Sequence, residues 1–219
     1  IQAYAATSKD KTLEKYTSVL RENVEELNGL IQEILDFRKA EDAGFSHTHI
    51  RRVSVSSLLR TQFEWFYPLS EQHQIQFKID APKELYWNTD SVYFKKILAN
   101  LISNAFKYTE DGGTVRISLH EEENFLVLKV YNTGKGIEEA DMQNIFDRYR
   151  ILGTMDNDDN RQNTARNGLG LFICHSLVQS LGGKIDIESE VGQYAEFTVT
   201  LPFGIVEAVS YTHLRAHET

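Results

Sequence analysis

Between Thr48 and Phe203 the hydrophobic period switches repeatedly between two residues and about 3.6, and this switching restricts the fold more than any other feature of the chain. His49 to Val55 alternates, and an apolar-periodic helix follows from Ser56 to about Gln72, carrying the aromatic cluster Phe63, Trp65, Phe66 and Tyr67. Ile75, Phe77 and Ile79 point one way in a strand from Gln74 to Asp80, and a short strand follows from Leu85 to Trp87. Asn88, Thr89 or Asp90 caps the next helix, whose buried face is Val92, Phe94, Ile97, Leu98, Leu101, Ile102 and Ala105. Thr114 to His120 and Phe125 to Asn132 read as an antiparallel pair across the short polar linker Glu121 to Asn124. Helices are predicted from Glu138 to about Arg150 and from Gly168 to Leu181, with strands at Lys184 to Glu188 and Glu196 to Leu201. The polar stretch from Ile151 to Asn167 follows neither period, and long loops of this kind inside compact domains usually serve as lids or binding loops. Helices and antiparallel strands mixed in this order specify an α+β fold.

Upstream, Leu13, Leu20, Leu27 and Ile34 recur every seven positions, and Val24 and Ile31 fall at the offset of a second seam. Such a narrow heptad stripe predicts a long amphipathic helix from Lys9 to about Glu41 that packs on partner helices and ends near Ala43-Gly44, although a surface helix on its own domain is the other reading. The expected division is therefore a partial stalk over residues 1–45, a main domain over 46–203, and an appended-looking tail over 204–219 with no periodicity. Ile1 to Ala6 is too short for a signal peptide, so no secretory leader is expected. No stretch approaches the roughly 18 consecutive apolar residues of a membrane span, so this region is expected to sit in water without membrane contact. The net charge of -9 argues against a general nucleic-acid binder, which needs surplus Lys and Arg. A single cysteine, Cys174, allows no internal disulfide and fits a reducing, cytoplasmic setting.

Three segments carry chemistry. Asn100 and Asn104 lie four residues apart on one face of an otherwise apolar helix, and a buried amide costs free energy unless it is partnered. Neighbouring backbone or a ligand would serve equally well as that partner. Tyr131 to Ile137 runs from a strand end into Gly134 and Gly136, which lets backbone approach a flat ligand. Asn167 to Leu171 holds Gly168 and Gly170 at a helix start, where free N–H groups and the helix dipole attract phosphate. Each signal is weak alone, but the three in this order with a polar stretch between the second and third are much harder to produce by accident.

Together they resemble the sensor histidine kinases of two-component systems, whose ATP-binding domain shares a fold with the gyrase, mismatch-repair and chaperone ATPases. Asn100 to Thr109 is similar to the N-box of that family, Tyr131 to Ile137 to its first glycine box, Ile145 to Arg150 to its F-box, and Gly168 to Leu171 to its second glycine box. The resemblance covers Thr48 to Phe203 and extends to a stalk segment, Leu27 to Glu41. It implies a two-layer α/β sandwich with a mixed, largely antiparallel sheet covered by helices on one face, an ATP lid, and ATP and Mg2+ as ligands. Asn104 would coordinate Mg2+ through its amide oxygen, Lys107 would contact phosphate, and Tyr108 would pack against the nucleotide. Gly134, Gly136 and Ile137 would frame the adenine pocket with Asn132. Gly168, Leu169, Gly170 and Leu171 would hinge the lid and offer backbone to phosphates, with Arg150 and Arg166 as further phosphate contacts. Asn100 stands where the hydrolytic relatives carry a glutamate base, so hydrolysis should be slow.

Three departures from the family pattern matter. Asn132 replaces an aspartate that accepts from the adenine amino group, and losing that charge should cost about 1 kcal/mol of affinity. Tyr194 and Ala195 occupy the places of a late glycine and a Thr or Ser. The phosphoacceptor motif, His-Glu or His-Asp with a nearby Arg-Thr-Pro, matches the neighbours of none of the seven histidines, so the acceptor is expected upstream of this chain and no catalytic residue is assigned within it. The His47 and His49 pair is better explained by strand alternation than by a metal. The partners implied are a response-regulator receiver domain and a second copy joined through the stalk helix. The rival functions are a nucleotide-binding or dimerising scaffold without phosphotransfer, and a hydrolytic ATPase of the same fold.

Overall fold

The structure, a computed structural model, describes residues 48–147 and 170–203. The heptad segment, the polar stretch from Ile151 to Asn167 and the tail from Gly204 lie outside the described residues, as do Arg150, Arg166, Gly168 and Leu169. The described residues divide into two compact units, 48–136 with 177–203 and 137–147 with 170–176.

The first unit is built on a five-stranded sheet. Its strands are β2 (Gln76–Asp80), β4 (Thr114–Glu122), β5 (Phe125–Thr133), β6 (Lys184–Glu190) and β7 (Tyr194–Pro202), in the spatial order β2-β4-β5-β7-β6. β2 runs parallel to β4, and every other neighbouring pair is antiparallel, which is the mixed, largely antiparallel sheet expected. A separate two-stranded ribbon pairs β1 (Arg51–Ser54) with β3 (Tyr86–Thr89). Trp87 ties this ribbon to the sheet, because its indole N–H donates to the Pro202 carbonyl at 3.1 Å.

Strand alternation produces one apolar face. Ile79, Ile117, Val130, Phe197 and Ile187 stand side by side across all five strands through the pairing register. Helices α1 (Val55–Gln72) and α2 (Ser91–Tyr108) pack on each other, α1 against β2 and α2 against β5. The buried face of α2 is Phe94, Ile97, Leu98, Leu101, Ile102, Ala105 and Phe106, at the spacing an amphipathic helix needs. Burying each of the larger of these side chains stabilises the fold by roughly 1.5–3 kcal/mol. Val92, expected on that face, is instead 56% exposed. It lies in the first turn, where its N–H donates to Asp90 at 2.8 Å.

The β4–β5 hairpin is tighter than its sequence suggests. Glu121 and Glu122 remain in β4, and only Glu123 and Asn124 turn the chain, with φ of 46° and 70°. Two consecutive positive φ values are the geometry whose twist matches a two-residue hairpin.

The second unit holds α3 (Glu139–Met142) and the first residues of α4 (Gly170–Ser180), whose last turn belongs to the first unit. The expected helix from Glu138 to Arg150 is thus one turn long. Beyond it Asn144 N–H bonds to the Asp141 carbonyl and Asp147 N–H to the Asn144 carbonyl, tight three-residue turns that replace helical bonds. Within this unit the Phe146 ring stacks on His175, with centroids 5.4 Å apart. Among the described residues no helix is long and apolar enough to cross a membrane.

Candidate functional site

Asp90 starts α2 by accepting from the backbone N–H groups of Val92 at 2.8 Å and Tyr93 at 3.2 Å, and a second carboxylate oxygen accepts from His49 N–H at 2.9 Å. This cap anchors a helix that carries Asn100 and Asn104, both half-buried, toward its C-terminal end. Lys107 and Tyr108 are exposed in the last turn, with the Lys107 ammonium 5.5 Å above the centre of the Tyr108 ring. Thr109 closes the helix, its hydroxyl donating to the Ala105 carbonyl at 2.6 Å.

The first glycine turn packs directly on that helix end. A Cβ on Gly134, which has φ of +154°, would lie 2.1 Å from the Tyr108 carbonyl oxygen. A Cβ on Gly136, at φ of +65°, would lie 2.3 Å from the Glu190 carbonyl oxygen. Both positions therefore exclude any side chain. Two further bonds hold the turn to the β6–β7 connection, Gly134 N–H to Gln193 O at 3.0 Å and Gly192 N–H to Lys135 O at 2.7 Å. The close approaches that the structure shows at this turn are backbone to backbone. No sequence signal singles out Gly192 and Gln193 as their partners.

Asn132 is 5% exposed on the apolar face of the sheet, between its register partners Val115 and Ala195. Its amide Nδ2 donates to the Thr133 carbonyl at 3.1 Å. Tyr194 pairs with Thr133 and so points to the opposite face from Asn132 and Ala195. There its ring stacks on Tyr131 at 5.5 Å, and the Arg116 guanidinium lies 4.9 Å over Tyr131. The bulky Tyr194 departure consequently leaves the Asn132 face open, while Ala195 places a methyl group beside the amide. This unit holds Asn100, Asn104, Lys107, Tyr108, Asn132, Gly134 and Gly136, and the contact it shows between the two segments is that of Gly134 with Tyr108. In the second unit Ile137 is buried, and Gly170 and Leu171 are half-buried at the start of α4.

Among the described residues no group of three His, Cys, Asp or Glu side chains is arranged to hold a metal. The half-buried amide oxygen of Asn104 is a hard neutral donor of the kind a divalent cation accepts beside other oxygen ligands.

A five-stranded mixed sheet, its helices on the apolar face and its central strand ending in a glycine turn beside a helix end, makes this an α/β sandwich. The family described as histidine kinase-, DNA gyrase B-, and HSP90-like ATPase matches residues 89–205. The circadian input-output histidine kinase CikA of Synechococcus elongatus is 32% identical over 86% of this chain and 25% of its own length. Sensor protein SrrB of Staphylococcus aureus is 30% identical over 90% of this chain and 33% of its own. Among solved structures, full-length ShkA in complex with AMPPNP superposes with a TM-score of 0.74 at 25% identity, over 90% of this chain and 40% of that one. The chain belongs to this ATPase family, as the ATP-binding catalytic domain of a sensor histidine kinase. It spans a quarter to a third of the length of CikA and SrrB.

Proposed function

We propose that this domain transfers the γ-phosphoryl group of ATP to a histidine nitrogen on a stalk helix, for relay to an aspartate of a response-regulator receiver domain. The observation that carries the reading is the seating of Gly134 on the Tyr108 carbonyl, which joins the glycine turn to the end of the asparagine-bearing helix. ShkA was solved with AMPPNP, and the histidine kinase ThkA with the response regulator protein TrrA, which supports both the nucleotide and the partner. The acceptor in this reading is a histidine of the His-Glu or His-Asp type with a nearby Arg-Thr-Pro, and the kinase works as a homodimer. The domain works on the cytoplasmic side and contacts neither nucleic acid nor membrane.

In the proposed step a bond forms between the acceptor nitrogen and the γ-phosphorus while the bond to the bridging oxygen breaks, and ADP leaves with that oxygen. Such transfer depends on positioning and charge stabilisation more than on covalent help. Asn132 accepts from the adenine amino group, and Gly134 and Gly136 border the base. Tyr108 packs on the nucleotide and Lys107 swings its ammonium to phosphate, with Arg150 and Arg166 as further phosphate contacts. The second glycine box, Gly168 to Leu171, contributes phosphate contacts. Bound through Asn104, Mg2+ would neutralise charge on the phosphates. Asn100 has no basicity to activate water, so hydrolysis stays slow.

Titration with an ATP analogue, with and without Mg2+, tests this. Affinity should rise with Mg2+ and the rise should disappear in Asn104→Asp. Affinity indifferent to Mg2+ would support a binding scaffold instead, the reading that the Asn132 and Tyr194 departures suggest. Steady phosphate release unaffected by Asn100→Ala would point to hydrolysis.

A further inference from the structure

The face of the sheet turned away from α1 and α2 carries an ordered charge pattern. Through the pairing register Lys78 lies beside Arg116, Arg116 beside Tyr131, Tyr131 beside Glu196, and Glu196 beside Glu188. One line across all five strands therefore reads two cations, a tyrosine and two carboxylates. Like charges side by side on neighbouring strands are unfavourable, and this line holds two such pairs. Lys78, Arg116 and Glu188 are exposed, and none of the three is in an ion pair among the described residues. Elsewhere on the face Lys129 is drawn to Glu196 at 3.5 Å, Lys184 to Asp186 at 2.7 Å and His120 to Glu122 at 2.8 Å, and Glu190 accepts from Gln193, which leaves Asp80 at the β2 edge. At the centre the Tyr131 ring is held by Tyr194 stacked at 5.5 Å and by the Arg116 guanidinium at 4.9 Å. An ordered aromatic centre flanked by charge is a common composition of protein interfaces.

We infer that this face is a contact between two copies of the chain, related by a two-fold axis that runs along β5 in the plane of contact. Such an axis exchanges the two sides of the sheet and keeps position along the strands. It sets Lys78 opposite Glu188 of the second copy, Arg116 opposite its Glu196 and Tyr131 opposite its Tyr131, and each charged pair occurs twice. An axis running across the strands would instead stack cation on cation and carboxylate on carboxylate. A second copy is the fitting occupant because the sheet, turned over in this way, presents the reversed order of charges at the same strand spacing. Asp80 then meets Asp186, whose charge Lys184 offsets, so the contact centres on the line through Tyr131. Five strands make a face only about 20–25 Å wide. The contact is therefore at the small end of specific interfaces and forms chiefly when two copies are already held near each other. It requires nothing of the nucleotide site.

The test is crosslinking of the full chain carrying Lys129→Cys, a position on the proposed axis, two residues from Tyr131 on the same face. Facing sheets lie about 10 Å apart, within reach of a bis-maleimide of about that length. The native Cys174 is buried, and the unaltered chain measures its background. Lys129→Cys should crosslink faster than Trp65→Cys, a control at an 80% exposed position on α1, and the rate should fall as salt is added. Adding Lys78→Glu or Glu188→Lys to the Lys129→Cys chain should each slow crosslinking by about tenfold, because like charges then meet twice. Co-expressing the two reversal variants should restore it, since each then meets its opposite at both places. Crosslinking at Lys129→Cys no faster than at Trp65→Cys would overturn the inference, and that comparison stands even if a reversal variant fails to fold. A rate that neither reversal changes would also overturn it, because the heptad segment alone would then bring the copies together. So would two co-expressed variants, each with native circular dichroism, that crosslink no faster than either alone. If the introduced thiol never joins a second copy but is shielded by an added receiver domain, the face belongs to that partner instead.

Discussion

Gly134 and Gly136 are fixed by backbone contacts that a sequence does not display. With the Tyr108 carbonyl 2.1 Å from a Cβ at position 134, an alanine there must push the glycine turn away from α2. We predict that Gly134→Ala lowers unfolding free energy by about 1–3 kcal/mol and also weakens nucleotide binding, measured by urea denaturation and titration. Unchanged stability would mean that the turn and the helix end are not held together as described. Tyr93 supports a second prediction. Burial, and then the negative charge of Asp90, raise its phenol above the ordinary value of 10.0. Because the folded state holds this proton more tightly than the unfolded one, the stability linked to it is fully present below about pH 10 and is lost as pH rises through the higher folded value. Tyr93→Phe should therefore soften the alkaline decline in melting temperature between about pH 9 and pH 12, and an identical decline would count against the shift.

At the scale of elements, α2 depends on the Asp90 cap, a carboxylate 4% exposed that accepts from three backbone N–H groups. Asp90→Ala should cost about 1–2 kcal/mol, and Asp90→Asn much less because its amide oxygen still accepts. Equal losses in the two variants would show that charge, rather than acceptance, matters at this helix start. The cap and the buried stripe of α2 were legible because capping residues and a 3.6-residue period are local signals, and Asp90 is among the three candidates read from sequence. The sheet strands were legible for the same reason, their alternation marking one face. The segment after Glu138 was not. Its apolar residues, Ile145 and Phe146, mimic a helical stripe, but the chain closes tight turns at Asn144 and Asp147. The hairpin was misread by two residues because Glu121 and Glu122 are polar yet remain paired with Leu126 and Phe125. Of the candidate site, the residue types could be read along the chain, while the meeting of Gly134 with Tyr108, and of Gly136 with Glu190, depends on contacts far apart in sequence.

For the molecule as a whole, the seven histidines bear on what the chain can do alone. His120 and His217 are each followed by a glutamate, but none of the seven has the nearby Arg-Thr-Pro of the family's acceptor motif. Two of them are in any case committed to local ion-pairing geometry, His73 beside Asp111 at 3.0 Å and His120 beside Glu122 at 2.8 Å. His175 is stacked on Phe146. A domain that positions ATP without owning an acceptor should separate binding from transfer. Incubated with labelled Mg-ATP, the chain should bind nucleotide yet acquire no acid-labile phosphate, and adding a dimeric stalk fragment that carries a His-Glu-x-x-Arg-Thr-Pro run should produce phosphohistidine on that fragment. The non-cognate stalk will dock poorly, so the rate should rise with stalk concentration and fall with salt as charge complementarity is screened. Phosphohistidine formed on the chain itself would relocate the acceptor to one of these seven side chains. If Mg-ATP binds and no stalk is ever phosphorylated, the domain is a nucleotide-sensing scaffold rather than a kinase.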